Sequence, residues 1–194
     1  MTTLNSTTAL DLLARLHAHK NAGYGNVWRK RGELLSIFTN LARKYDRLVV
    51  ALDEGIDATD KRNLETAGDL CVYAAKYLTW LAERSPEDFD AVSISRAENC
   101  ADHGGTEAAN VVLHALEVPS GDVDESWANV KAAFEPLETG LIAQSEVEEE
   151  ALSWQRKTEL AWELVGSSAE LLLAFGAEDP QEVREWQAKI EAMG

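Results

Sequence analysis

A glycine-rich stretch near the N-terminus carries the residue types that bind a nucleotide. It covers residues 20–33 and reads KNAGYGNVWRKRGE. Tyr24 and Trp28 offer flat rings for contact with a base or sugar, and basic residues such as Lys30 lie close by to hold an anion. This mixture of rings, bases and glycines favours a site for an aromatic anion.

Polar residues continue at helical spacing in the two segments that follow. The first polar line, at spacings of 7, 4 and 3 residues, consists of Glu33, Asn40, Lys44 and Arg47. The second, at spacings of 4, 4 and 3 residues, consists of Glu65, Asp69, Tyr73 and Lys76. Such spacings place residues on one face of an α-helix, and two helices joined by a short linker pack antiparallel. The two polar lines are therefore predicted to run side by side.

Carboxylates on these lines could supply a metal site, because Mg²⁺ binds one or two carboxylates together with substrate phosphates and water. The candidate metal ligands are Glu33, Glu65 and Asp69. The candidate phosphate ligands are Lys44, Arg47 and Lys76. The alternative is that these residues form ordinary surface ion pairs, such as Glu65 with Lys61 or Arg62. Spacing alone leaves both interpretations open.

Helical periodicity covers most of the chain and predicts an all-α helical bundle. The first predicted helix runs from Thr8 to Lys20 and is broken by residues 21–25. The second runs from Val27 to Asp53, and the third from about Thr59 to Glu83. Further helices are predicted at 106–116, 124–144, 145–175 and 180–193.

The least periodic part of the chain lies between residues 93 and 105, and we place a boundary there. Residues 1–92 form the predicted nucleotide- and metal-binding region. Residues 93–194 form an accessory helical region that is either separate or packed into the same domain. Within the first region, Cys71 is predicted to be a reduced thiol in the core.

Charge and composition argue against several functions. A net charge of −16 over 194 residues disfavours binding to duplex nucleic acid or anionic lipid, which requires lysine and arginine. The N-terminus lacks a secretion signal and no apolar run reaches the ~18 residues of a membrane span, which predicts a cytoplasmic protein. Phosphate-loop and serine-nucleophile motifs are absent. The histidines have no paired metal spacing, so a structural or surface role is expected for His17.

Three motifs group these residues. The first, K-x-x-x-YG-x-x-W-x-x-x-G, spans Lys20 to Gly32. The second, N-x-x-RK-x-DRL, begins at Asn40, and the third, ET-x-x-DL-x-x-Y-x-x-KYL, begins at Glu65. Together they resemble the MazG-like all-α nucleotide pyrophosphohydrolases, most closely the phage and bacterial branch associated with nucleotide modification. The resemblance covers roughly residues 17–82, under half of the chain.

This resemblance implies an oligomeric helical bundle that uses Mg²⁺, or Mn²⁺ in its place, to cleave a nucleoside triphosphate to the monophosphate and pyrophosphate. A homo-oligomer in the cytoplasm is expected, and in the host cytoplasm if the chain is phage-encoded. The acidic metal positions fall on Glu33, Glu65 and Asp69. The candidate substrate-binding residues are Tyr24, Trp28, Lys30, Asn40, Lys44, Arg47, Tyr73 and Lys76.

The carboxylate pattern departs from that of the better-known members. Those carry E-E-x-x-E on the first metal-binding helix, whereas Glu33 is followed here by Leu34, Ser36 and Ile37. Their second helix has E-x-x-D, whereas Glu65 and Asp69 are four positions apart. The missing carboxylates favour an alternative, in which the chain is an inactive helical module that binds a nucleotide or assembles with other proteins.

Overall fold

The computed structural model describes residues 5–55, 63–93, 105–114, 116–119, 121–146 and 152–193. Most of these residues are helical, and none of them forms a strand. The prediction of an all-α helical bundle is therefore confirmed.

Helix α1 spans Ser6–Tyr24 and is longer than predicted. Asn5 caps its N-terminus, where the side-chain oxygen accepts a hydrogen bond from the Thr8 backbone N–H at 2.9 Å. The helix ends at Gly25, whose φ of 55° lies in the left-handed region that favours glycine. The predicted break at residues 21–25 was wrong for residues 21–24, because a single glycine inside a helix costs only about 1 kcal/mol relative to alanine.

The predicted helix Val27–Asp53 is divided into three parts. A 3-10 helix covers Gly25–Arg29, a π-helix covers Glu33–Phe38, and helix α2 covers Thr39–Leu52. The prediction of one continuous α-helix was wrong, because an apolar stripe does not reveal where the backbone bonding changes from i→i+4 to i→i+5.

Helix α3, Asn63–Arg84, is the central element, and 17 of its 22 residues are buried. It packs along α7, Trp154–Glu178, and also contacts α2 and α5, Gly105–His114. Its end agrees with the predicted end at Glu83 to one residue, whereas its predicted start near Thr59 lies outside the described residues. Cys71 on this helix is fully buried, as predicted.

The remaining described helices complete the bundle. They are α4, Pro86–Ser93; α6, Val123–Glu146; and α8, Pro180–Glu191. Buried apolar side chains from Ala9 in α1 to Ile190 in α8 belong to one cluster. Residues on both sides of the boundary that we placed between 93 and 105 therefore share a core.

Helix α7 is long and apolar enough to cross a membrane by length and composition. In the bundle, 72% of its apolar window is buried inside the protein. A central core helix has these same properties, because it is surrounded by apolar neighbours on most sides.

Candidate functional site

Side-chain hydrogen bonds support the irregular backbone between α1 and α2. Thr39 Oγ1 donates to the Leu34 carbonyl at 2.9 Å, and Asn40 Nδ2 donates to the Ser36 carbonyl at 2.7 Å. Ser36 Oγ accepts from the Arg31 backbone N–H at 2.9 Å. These contacts bind together the π-helix, the turn before it and the first turn of α2. Since π-helical turns are frequent at functional sites, this segment is a candidate part of a functional site.

A cavity of about 490 Å³ adjoins this segment, and we call it the cationic cavity. It lies between the end of α1, the 3-10 and π-helices, the start of α2 and the middle of α3. The described residues that line it are His17, Lys20, Asn21, Gly25, Val27, Trp28, Arg31, Leu35, Ser36, Thr39, Asn40, Arg43, Lys44, Asp69, Val72, Tyr73 and Lys76. Its volume lies within the range of small-molecule sites.

The cationic cavity differs in charge from the rest of the molecule. Its described wall contains five of the chain's 18 lysine and arginine residues, and only Asp69 of its 34 acidic residues. The protein as a whole carries a net charge of −16. A concentration of positive charge in an otherwise acidic protein produces a local field that attracts anions.

Asp69 lies between two lysines on the cavity wall. Its Oδ1 accepts from Lys20 Nζ at 2.5 Å, and its Oδ2 accepts from Lys44 Nζ at 2.5 Å. Burial disfavours the carboxylate, but the charges and hydrogen bonds of Lys20 and Lys44 outweigh burial and hold the pKa of Asp69 well below its usual range. The three side chains together carry one net positive charge that is available to a ligand.

Lys76 places a third ammonium group against two aromatic rings. Its Nζ lies 5.5 Å from the ring centre of Trp28 and 5.4 Å from that of Tyr73. Burial and the nearby charge of Lys20 lower the pKa of Lys76 to about 8, although Asp69 acts in the opposite direction. At neutral pH the ammonium form therefore still dominates, and the cavity presents a cation next to stacking surfaces.

His17 belongs to the cavity wall, although the sequence predicted only a structural or surface role for it. It is completely buried, and its Nδ1 lies 2.9 Å from Asn110 Oδ1. Burial lowers the pKa of His17 to about 4 against the opposing effect of that hydrogen bond, so the ring is neutral at pH 7. Its Nε2, Asn21 Oδ1 and Trp28 Nε1 are buried without a hydrogen-bond partner, and all three residues line the cavity.

Glu33 does not lie at the cavity, contrary to its predicted place beside Asp69. Its carboxylate accepts from Lys157 Nζ at 3.0 and 3.1 Å and from Tyr77 Oη at 2.6 Å. The predicted polar line assumed α-helical periodicity from residue 33 onward. The π-helix breaks that periodicity, so Glu33 faces α3 and α7 while Asn40 and Lys44 face the cavity.

Glu65 lies one turn before Asp69 on α3 but is not among the described residues of the cavity wall. It accepts from Lys189 Nζ of α8 at 2.8 and 3.0 Å, on the side of α3 that faces α8. Among the described residues, no group of three or more His, Cys, Asp and Glu side chains is positioned to hold a metal ion. The predicted Mg²⁺ site formed by Glu33, Glu65 and Asp69 therefore does not fit this arrangement, since each carboxylate binds different lysines.

The predicted substrate-binding residues divide into two groups. Those that line the cavity are Trp28, Asn40, Lys44, Tyr73 and Lys76. Lys30 lies instead in a second hollow beside Trp80 and Arg84, and Arg47 is half-buried on α2 outside the described cavity wall. Tyr24 is the last residue of α1, and its side chain lies outside the described part of the structure.

The structure adds cavity residues that the sequence analysis did not select, among them His17, Asn21, Arg31 and Arg43. A signal for His17 was present, because it lies on the apolar stripe of α1 with Leu10 and Leu13. A histidine on a buried stripe needs polar partners for both ring nitrogens. Arg31 gave no comparable signal, because exposed arginines are common on any helical surface. Arg43 belongs to the motif N-x-x-RK-x-DRL but was not selected as a site residue.

Comparison with protein-family models, with curated proteins and with solved structures finds no match to the chain.

Proposed function

We propose that this protein binds a nucleotide in the cationic cavity, with the base near Trp28 and Tyr73 and the phosphates at Lys20, Lys44 and Lys76. The observation that carries the proposal is Lys76, a buried ammonium group in contact with two aromatic rings and close to the Lys20–Asp69–Lys44 cluster. Phosphate oxygens complement ammonium groups, and bases complement flat rings. A nucleotide carries both phosphates and a base, and a cavity of about 490 Å³ is large enough for a molecule of this size.

Binding in this proposal does not depend on a resident metal ion, because the carboxylate of Asp69 is held by two ammonium groups. The lysines themselves neutralise the phosphates. Nucleotide affinity is therefore expected to persist when EDTA removes divalent cations. This proposal corresponds to the nucleotide-binding module that the departures from the family pattern favour.

Titration calorimetry with each dNTP and NTP, in the presence of EDTA, tests the proposal. Lys76→Met should weaken the tightest ligand at least tenfold, because a charge-assisted hydrogen bond to phosphate is lost while methionine still fits between the rings. Arg15→Met is the matched control, since Arg15 is an exposed cation on α1 outside the described cavity wall. Absence of heat with every nucleotide would contradict the proposal.

Hydrolysis of the bound nucleotide to the monophosphate and pyrophosphate is the second candidate function. The observation that favours it is the position of Asp69 in the same cavity as Trp28 and the lysines. Asp69 belongs to the third of the motifs that resemble the pyrophosphohydrolases. Chromatography of each nucleotide after incubation with the protein and Mg²⁺ distinguishes the two functions. Monophosphate and pyrophosphate formed by the wild type and not by Asp69→Ala would support hydrolysis, whereas binding without product would support a binding module.

A further inference from the structure

The three unpartnered polar atoms of the cationic cavity are an unusual feature of its wall. The described part of the chain has five buried side-chain polar atoms without a hydrogen-bond partner, and three of them belong to His17, Asn21 and Trp28. Buried polar groups in native proteins are nearly always paired, so a cluster of exceptions requires an explanation. A ligand that supplies the missing partners is one such explanation, because all three residues line the same cavity.

The chemistry of His17 defines what its partner must be. The Nδ1 faces the side-chain oxygen of Asn110 at 2.9 Å, so Nδ1 carries the proton of the neutral ring. The Nε2 then has a lone pair and can only accept a hydrogen bond. It is buried, and no residue that the structure describes donates a hydrogen bond to it.

A phosphate group cannot satisfy His17 Nε2. Ionised phosphate oxygens are acceptors, and the cavity already offers them the ammonium groups of Lys20, Lys44 and Lys76. The unpartnered indole N–H of Trp28 has the opposite requirement, because it is a donor only. The two residues together call for a ligand that presents both an N–H and an acceptor atom to this wall of the cavity, as a nucleobase can.

We infer that His17 is a specificity-determining residue, whose Nε2 accepts a hydrogen bond from an N–H of the ligand's base. This inference rests on the proposed nucleotide-binding function and deepens it by assigning the base end of the ligand to His17 and Trp28. Trp28 donates its indole N–H to an acceptor of the same base, so the base contacts the edge of the indole ring rather than its face. Lys76 contacts the Trp28 ring at 5.5 Å and links this base end to the phosphate-binding lysines.

The test compares the wild type with His17→Phe by titration calorimetry, using the four dNTPs, inorganic triphosphate and deoxyribose 5-phosphate as probes. Phenylalanine keeps a planar aromatic side chain, with a larger six-membered ring, and removes both nitrogens. We expect at least a tenfold loss of affinity for the tightest dNTP, with the affinities for triphosphate and deoxyribose phosphate unchanged. The matched control is His19→Phe, since His19 is an exposed histidine on the same helix, and it should bind every probe as the wild type does.

Two results with His17→Phe would overturn the inference. One is an unchanged dNTP affinity, and the other is an equal loss for all three kinds of probe, which would indicate a structural role. If the wild type binds no dNTP more tightly than it binds inorganic triphosphate, His17 does not recognise a base. If the wild type binds none of the probes, the proposed function fails as well, and this outcome is distinct from the loss of base reading alone.

A measurement on the wild type keeps the inference testable if His17→Phe does not fold. The ¹⁵N resonance of His17 Nε2 reports whether its lone pair accepts a hydrogen bond. We expect it to move to lower frequency when the tightest dNTP is added and to stay in place with inorganic triphosphate. An Nε2 resonance that does not respond to a saturating dNTP would overturn the inference.

Discussion

Asp69 sets the charge of the cationic cavity when no ligand is bound, because its carboxylate neutralises part of the charge of Lys20 and Lys44. Asp69→Asn should lower the free energy of unfolding by about 3 kcal/mol, since the buried ammonium group of Lys44 loses the charge of the carboxylate that it binds at 2.5 Å. The same change should tighten the binding of inorganic triphosphate severalfold, because the cavity becomes more positive. Urea denaturation and calorimetry measure the two effects. A loss of both stability and affinity would contradict this role.

His17 makes the stability of the protein depend on pH in the mildly acidic range. Its pKa is about 4 in the folded state and 6.5 in the unfolded state, so the unfolded chain binds more protons between these values. Stability therefore falls as the pH is lowered. Between pH 7 and pH 5 the contribution of His17 should be a loss of about 2 kcal/mol.

Urea denaturation of the wild type and of His17→Phe at both pH values measures this contribution. The fall in the free energy of unfolding between the two pH values should be smaller in His17→Phe by the contribution of His17. His19→Phe should behave as the wild type. An identical pH dependence in the wild type and His17→Phe would show that His17 does not remain neutral in the folded protein.

At the scale of single residues, the sequence analysis selected several residues that the fold brings to one cavity, but not the partners of the carboxylates. The cavity wall includes four residues whose types and positions in the sequence had favoured an anion site: Trp28, Lys44, Asp69 and Lys76. The partners of Glu33 and Glu65 were not predictable, since Lys157 and Lys189 each lie 124 positions away in the chain. Only tertiary packing brings such residues together.

At the scale of elements, the pair of Lys157 and Glu33 connects α7 to the first turn of the π-helix. Lys157→Met should lower the free energy of unfolding by about 3 kcal/mol, because the mostly buried carboxylate of Glu33 loses the ammonium group that balances its charge and keeps the hydrogen bond from the hydroxyl of Tyr77. Arg156→Met, at the adjacent exposed position, should cost less than about 1 kcal/mol. Urea denaturation of both variants measures the difference.

A double variant separates the charge from the packing of Lys157. Glu33→Gln combined with Lys157→Met should recover a substantial part of the lost stability, because neither position then carries a charge. If the double variant is as unstable as the sum of the two single variants, the two side chains do not act as a pair.

The helical elements were predictable where the backbone is regular. The end of α3 agrees to one residue, because its apolar positions follow the 3.6-residue period up to Arg84. The segment from Gly25 to Phe38 was not predictable, because its 3-10 and π-helical turns have other periods. Trp28 and Ser36 lie in this irregular segment and line the cavity. The segment that was predicted wrongly therefore forms part of the cavity wall.

At the scale of the whole molecule, the two halves of the chain share one core. Helix α3 packs along α7, and buried residues from α1 to α8 form a single cluster. The sequence left this open, because amphipathic periodicity shows which face of a helix is buried and not which helix covers it. The charge asymmetry was likewise visible only after folding, since the five basic residues of the cavity are spread from residue 20 to residue 76.

Residues 1–92 alone should therefore not fold. Removal of residues 93–194 exposes the face of α3 that packs against α7, and 17 of the 22 residues of α3 are buried in the complete chain. Circular dichroism of the fragment should show little helix and no cooperative thermal transition. A cooperatively unfolding fragment that binds nucleotides would contradict the shared core.

The most direct test of the account follows the indole N–H resonances of the six tryptophans during a dNTP titration in the presence of EDTA. Trp28→Phe assigns the resonance of Trp28, whose buried N–H has no partner before ligand binding. We predict that the Trp28 resonance shifts and saturates with the dissociation constant that calorimetry gives, while those of the buried Trp162 and Trp186 stay in place. A saturating nucleotide that leaves Trp28 unchanged, or shifts Trp80 in the second hollow instead, would contradict binding in the cationic cavity.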